Sequence, residues 1–255
     1  MLHHMTAVSH NLCFPFVVFV HQCAEYQNRR GTEKIREAER RQALMAQEPT
    51  DITPANKSQH VWSSAATVDK FENDWSMKPV QIKGIFDHER EIQVKKERNG
   101  EKGVDIITPF YTHVDAQGIE QGIIVNRGWV PQDLKDQRMH YGSNTMGTIK
   151  GVLYRGDVET KYSTKNSPMG GLYNAVRPYD CSLIMQLPNQ EEASQVMLHM
   201  IDFDPERRQV LPTVPTVGEL SNFVISPQRH AAYEMMWRMM AFGGVLANTA
   251  LWLYF

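Results

Sequence analysis

His230, Tyr233 and Trp237 are the residues of this chain whose types and spacing most directly suggest chemistry. They stand three and four apart within RHAAYEMMWRMMAFGGVLANTALWLYF, residues 229–255. On a helix they fall at roughly 0°, 300° and 340°, which is one stripe, and Gly244 and Asn248 continue it at about 320° and 0°. A neutral imidazole ligates metal. A stripe of aromatic and small residues beside it suits a flat cofactor or a partner helix. His230 is therefore a metal or haem ligand, or a hydrogen-bonding residue at a helix interface. Met235 with Met239, and Met236 with Met240, stand four apart. Thioethers ligate haem iron or Cu(I), and more often they fill gaps in packing.

Other candidate chemistry is sparse. Asp87-His88 pairs a carboxylate with an imidazole, but no nucleophile or phosphate-binding loop stands nearby, so a polar interaction pair is expected. G-x-S-x-G, P-loop and H-E-x-x-H patterns are missing from the sequence, and the expectation is a protein that is not an enzyme. Cys13, Cys23 and Cys181 show no C-x-x-C or C-x-C spacing. That argues against a zinc ribbon, a thioredoxin-like motif and a thiol-based copper carrier, and the odd count argues against a disulfide framework. Cys181 reads as a small buried hydrophobe. A net charge of −2 and a pI near 6.6 give no electrostatic case for nucleic acid.

The elements that must position these residues follow from periodicity. Ser226-Pro227 is a helix start, with Ser as N-cap and Pro at the first helical position. A helix from there through residue 255 would run roughly 43 Å. No charge occurs from Met239 onward. Arg238 and Trp237 suit the near membrane interface, and Trp252 and Tyr254 the far one, so residues 226–255 are expected to be a C-terminal transmembrane helix. Residues 12–20 are apolar around Pro15. Taken with their flanks, residues 1–24 are expected to form a first membrane segment, or else a buried or interfacial one. They carry no basic n-region and no arginine-rich presequence. Residues 25–47 are densely charged with helix formers, acids and bases recurring three and four apart, which predicts a solvated helix.

Residues 48–225 read as the main domain. A loop or extended stretch with Trp62 and Trp75 leads to period-two segments, VQIKGIF and EREIQV. Asn99-Gly100 predicts a hairpin before VDIITPFYTHV. Gly84 and Gly128 are expected to permit turns, Pro131 to end a strand, and Arg127 to pair with Asp87 or cap backbone carbonyls. Further strands are expected in QGIIVNRGWVP, MGTIKGVLYRGD, CSLIMQL, VMLHMIDFD, RRQVLPTV and ELSNFVI. The fold class expected is therefore α+β: a β-rich, barrel- or sandwich-like domain between an N-terminal helical segment and a C-terminal membrane helix.

Three ordered motifs carry a family resemblance: GIFDHEREI at residues 84–92, ITPFYTHV with GIIVNRGWVP at 107–131, and RHAAYEMMW at 229–237. Together the chain resembles the Surfeit-locus-one family, whose patterns are G-x-[FY]-D-H, T-P-F, V-N-R-G-[WF]-V-P and H-x-x-Y-x-x-x-W. Gly84, Phe86, Asp87, His88, Asn126, Arg127, Gly128, Trp129 and Pro131 carry the first two stretches. The Trp of the family's N-terminal G-x-W-Q is missing, and residues 155–219 diverge. The resemblance implies two membrane helices flanking a β-rich domain on the intermembrane-space side of the mitochondrial inner membrane. It implies a non-enzymatic role in biogenesis of cytochrome c oxidase. Partners would be its core subunits, other complex IV subunits or assembly factors, and the lipid bilayer. It also implies haem a as a transient cofactor, with His230 on the iron and Tyr233 and Trp237 beside it. The alternative is a permanent accessory subunit of the oxidase or a respiratory supercomplex.

Overall fold

Apolar residues recurring every second position become strands here, and those recurring every third or fourth become the long terminal helices. The structure, a computed structural model, describes residues 2–52, 71, 75–114, 118–134, 146–157, 165–167, 173–202, 211–221, 223 and 225–254. Two compact units result: Met1–Gln42 with Ser221–Phe255, and Ala43–Leu220.

The second unit is built on one seven-stranded sheet. Its strands are β1 (Thr50–Asp51), β2 (Pro79–Phe86), β3 (Ile92–Arg98), β4 (Glu101–Val114), β5 (Glu120–Pro131), β6 (Gly147–Tyr154) and β7 (Met197–Met200). The spatial order is β1-β2-β6-β7-β5-β4-β3. β2 also pairs with β4 through Ile85↔Tyr111 and Phe86↔Phe110. That extra pairing closes β2, β6, β7, β5 and β4 into a barrel-like ring. The β3–β4 hairpin turns at Asn99 and Gly100, whose φ values of 54° and 83° match the left-handed turn that Asn-Gly favours.

Both faces of β4 and β5 are covered, so their centres are unbroken buried runs, with Asp105, Thr108, Asn126 and Arg127 as the polar residues among the apolar ones. One face packs Phe110, Ile123, Val125, Ile149, Leu153 and Leu198 with Phe71 and Trp75. Each large side chain buried this fully contributes roughly 1.5–3 kcal/mol. The other face sets Val94, Ile107, Ile124 and Met197 against Cys181 and Met185. Burial pushes the Cys181 thiol up to about 12, as befits a packing residue.

Two expected strands are helices. CSLIMQL falls in α2 (Pro178–Ile184) and the turn after it. Pro178 stands at its start, and Cys181 and Met185, four apart, face the core; a short apolar run does not by itself distinguish the two periods. α3 (Gln190–Ala193) follows. ELSNFVI begins within α4 (Val217–Ser221). A reciprocal cap holds that helix: the Thr216 N–H donates to Glu219 Oε2 at 2.9 Å, and the Glu219 N–H to Thr216 Oγ1 at 3.3 Å. Of RRQVLPTV, residues 207–210 lie outside the described residues, and Thr213 forms an isolated antiparallel bridge with Trp129. Trp62 also lies outside them. The stretch before β2 is not merely a loop, because Thr50–Asp51 pairs in parallel with β2 and Phe71 and Trp75 are core residues.

The first unit consists of two long helices. α1 (Leu2–Met45) runs without a break across residues 24 and 25, with Pro15 inside it. α5 is Pro227–Tyr254. Its start is capped as expected, the Arg229 N–H donating to Ser226 Oγ at 3.3 Å. No helix among the described residues is long and apolar enough to cross a membrane. Gly243, Gly244, Asn248 and Thr249 dilute the apolar run of α5.

Candidate functional site

In the barrel unit, the first two motif stretches converge on one buried charge. Arg127 sits at a bulge in β5: Asn126 pairs with Ile107 and Gly128 with Ile106, leaving Arg127 as the extra residue. Its side chain is only 6% exposed, and its Nη1 donates to Glu91 Oε2 at 3.0 Å. The same Nη1 lies 3.2 Å from His88 Nδ1. A guanidinium only donates, so Nδ1 accepts and His88 carries its proton on Nε2. The guanidinium stacks 5.0 Å from the centre of the Phe86 ring, which meets Phe110 edge-on at 4.7 Å. Thr108 of the T-P-F stretch donates to Glu91 Oε2 at 3.2 Å. Burial holds the Arg127 guanidinium below its usual value, and Glu91 opposes that shift.

Two expectations are corrected here. Arg127 pairs with Glu91, while the Asp87 carboxylate caps the Glu89 amide at 3.0 Å and faces Arg90 at 3.3 Å. The reason is local: a short 3-10 turn at His88–Arg90 turns Asp87 toward its own backbone. Gly84 is not in a turn. It lies in β2, where a Cβ would stand 2.2 Å from the Tyr111 carbonyl oxygen and 2.7 Å from the Phe110 ring. Gly128 does need its freedom, with φ at 122° and Thr213 O at 2.6 Å from the Cβ position. Pro131 is the last residue of β5.

Asn126 and Trp129 point to a different place. Asn126 Oδ1 accepts from the Gly128 N–H at 3.0 Å, and its Nδ2 donates to Asp105 Oδ2 at 3.2 Å. Trp129 Nε1 donates to the Lys96 carbonyl at 3.2 Å. Glu91 and Asp105 escaped sequence reasoning, although Glu91 stands three residues past His88, at a spacing that suits an ion pair on a turn.

In the helical unit, His230 is buried at 8% exposure, and its Nδ1 lies 2.8 Å from Gln27 Oε1. Gly31 is what lets the ring in, since a Cβ there would be 3.3 Å from His230 Cβ. Further along, Arg238 pairs with Glu25 at 2.8 Å and with Glu234 at 2.9 Å. Gly244 lies against Val17, and Phe223 sits under the cations of Lys34 and Arg41 at 4.0 and 4.7 Å. Rising numbers on one helix meet falling numbers on the other, so the pair is antiparallel. The covered positions include Val17, Val20, Ala24, Gln27, Gly31 and Lys34 on α1, with Cys23 and Arg30 half-buried beside them, and His230, Glu234, Trp237, Ala241, Gly244 and Asn248 on α5. Leaving Cys23 and Arg30 aside, these positions alternate steps of three and four along each helix, the seam of an antiparallel coiled pair.

That seam decides the fit of haem. His230 and Trp237 face α1, whereas Tyr233 is 42% exposed and turned away. The three side chains therefore do not converge on one cavity, and His230 Nδ1 is taken up by Gln27 at 2.8 Å. As packed, these residues do not fit haem a.

The SURF1 (Surfeit-locus-one) family model matches residues 14–242, which takes in all of these motifs. The chain belongs to the SURF1 family. This family is associated with cytochrome c oxidase assembly. No curated protein matches the chain. The SURF1 motifs divide between the two units: G-I-F-D-H and V-N-R-G-W-V-P lie in the barrel unit, and H-x-x-Y-x-x-x-W supplies His230 and Trp237 to the helix seam.

Proposed function

We propose that this SURF1 protein is a non-enzymatic, membrane-tethered factor for cytochrome c oxidase biogenesis. It acts at the mitochondrial inner membrane with the barrel unit in the intermembrane space, and it holds the nascent haem-bearing core subunit. The observation that carries the membrane part is the outer face of the helix pair. Phe16 and Phe19 on α1, and Phe242, Leu246, Trp252 and Leu253 on α5, are all exposed, Leu253 at 81%. Of the residues that lower the apolarity of α5, Gly244 and Asn248 lie on its covered side, Gly243 and Thr249 on its exposed side, where Thr249 Oγ1 donates to the Val245 carbonyl at 2.9 Å. The surface offered to lipid is thus more apolar than the helix average, which is the arrangement bilayers favour. The charged half of α1, with Glu37 bridging Arg40 and Arg41 at 2.8 Å each, suits water.

Alkaline carbonate extraction and native electrophoresis test it. Retention in the membrane pellet, together with migration alongside incomplete oxidase, is the expected result. Release into the carbonate supernatant overturns the tether. Stoichiometric migration with mature oxidase replaces the transient factor with a permanent accessory subunit.

A further inference from the structure

A cleft of about 220 Å³ opens on the barrel unit between the strap around Thr213 and the ends of β3, β4, β5 and β7. Its body is apolar: the Trp129 ring, Pro215, Leu220 and the stems of Lys96 and Arg98. Polar groups with unused capacity are few. Lys96 Nζ is held by Asp157 at 3.1 Å. Arg98 is held by Glu219 at 2.7 Å and donates to the Thr213 carbonyl at 3.2 Å. That leaves Asp105 and His199. Among the described residues the Asp105 carboxyl accepts one hydrogen bond, from Asn126, out of roughly four sites a carboxylate offers. The His199 ring stacks 5.3 Å from Tyr154, and no described residue hydrogen-bonds its ring nitrogens.

The charges around the cleft favour a cation. Lys96 and Arg98 are answered by Asp157 and Glu219, and Glu97 adds a further carboxylate to the rim. Asp105 and Glu97 are then carboxylates in excess of the two cations. Burial pushes the Asp105 carboxyl above its usual range, and Lys96, the Asn126 hydrogen bond and Arg98 offset that only in part. Burial, with Lys96 and Arg98, pushes His199 down to about 4, so its ring accepts hydrogen bonds at neutral pH. Among the described residues no group of three metal-ligating side chains forms, which turns the choice from a metal ion to an organic cation. A narrow apolar cleft with one carboxyl and one imidazole suits an ammonium head on an aliphatic stem, a head that brings three donors.

We propose that this cleft is a binding subsite for an alkylammonium group, with Asp105 as its counter-charge and His199 as a second acceptor. The source is either a lysine side chain of a partner protein or a free polyamine. The test is calorimetry on the full chain in mild detergent, with n-butylammonium as probe and n-butyrate and n-butyramide as controls of like shape. Saturable binding of the ammonium alone is expected, weakened at least about 10-fold in Asp105→Asn. Binding should also release a proton, seen by comparing two buffers at a pH where the free carboxyl still holds it. Leu220→Trp, which fills the cleft and keeps the carboxyl, should abolish binding should Asp105→Asn fail to fold. Absent binding, equal binding by either control, or unchanged affinity in both variants overturns the proposal. Tighter binding of Nα-acetyl-lysine methylamide than of spermidine assigns the site to a partner's lysine, and the reverse assigns it to a polyamine.

Discussion

The barrel and the helix pair each bury a polar residue from a SURF1 motif, and they hold it in opposite ways. Arg127 is fixed by closure of a sheet: a bulge aims it, Glu91 neutralises it, Thr108 and His88 complete its shell, and Phe86 covers it. His230 is fixed by one side chain, Gln27, and by the missing side chain of Gly31. The first is a charge that cannot be left alone in a low-dielectric setting. The second is a ring with one recorded hydrogen bond, whose loss leaves one amide to find water at a helix seam. Burial alone therefore says little about cost; what matters is charge and the number of elements that must agree.

Removing one partner from each site is the sharpest way to test this contrast. Arg127→Met should lower the free energy of unfolding by about 3–5 kcal/mol, measured by urea titration, because Glu91 stays behind without its cation. Arg127→Met with Glu91→Met should recover most of that loss. A single-variant loss under about 1 kcal/mol would collapse the distinction. Next comes Gly84→Ala, expected to cost about 2–3 kcal/mol, since the Tyr111 backbone oxygen cannot yield to a Cβ at 2.2 Å.

A smaller effect is expected from His199→Gln, and it depends on pH. The folded ring titrates at about 4 against 6.5 when unfolded, so between these values the unfolded chain binds more protons. Stability from this residue is thus lost as pH falls from about 6.5 to about 4 and present above that window. The wild-type minus variant difference should rise by about 1–3 kcal/mol across it, and a flat difference refutes the assignment.

The helix pair should respond least. His230→Ala should cost about 1 kcal/mol, and wild-type protein from haem-replete cells should show no Soret band. A band that disappears in the variant would reinstate the ligand role of His230. Gly31→Ala should be nearly neutral. Its Cβ would stand 3.3 Å from His230 Cβ, so the helices must part by a few tenths of an ångström, and the roughly 1 kcal/mol of helix propensity that alanine regains offsets this.

Local rules read some of this molecule well and some poorly. Asn99-Gly100 and Ser226-Pro227 announce their hairpin and cap because the deciding geometry lies within four residues. The run at 181–187 was misread because a short apolar segment fits both a strand and a buried helix face. The Thr216-x-x-Glu219 box was legible and would have exchanged a strand for α4. The His230–Trp237–Gly244 stripe was visible, yet its occupant was not, since Gln27 is some two hundred residues away in sequence. A matching three-and-four rhythm at Val17, Val20, Ala24, Gln27 and Gly31 was present to be found, hidden by weak apolarity. The Arg127–Glu91 pair lay beyond reach because it depends on where a bulge shifts the register.

That bulge acts as a phase changer. A regular strand sends alternate letters of its sequence to opposite sides, so Arg127 and Trp129 would share a side. With one residue inserted, Trp129 instead joins Asn126 and Asp105 on the far side of the wall from Arg127 and Phe86. A stretch of four letters, N-R-G-W, thereby addresses two chambers at once. Deleting a single residue there would mirror the message rather than shorten it.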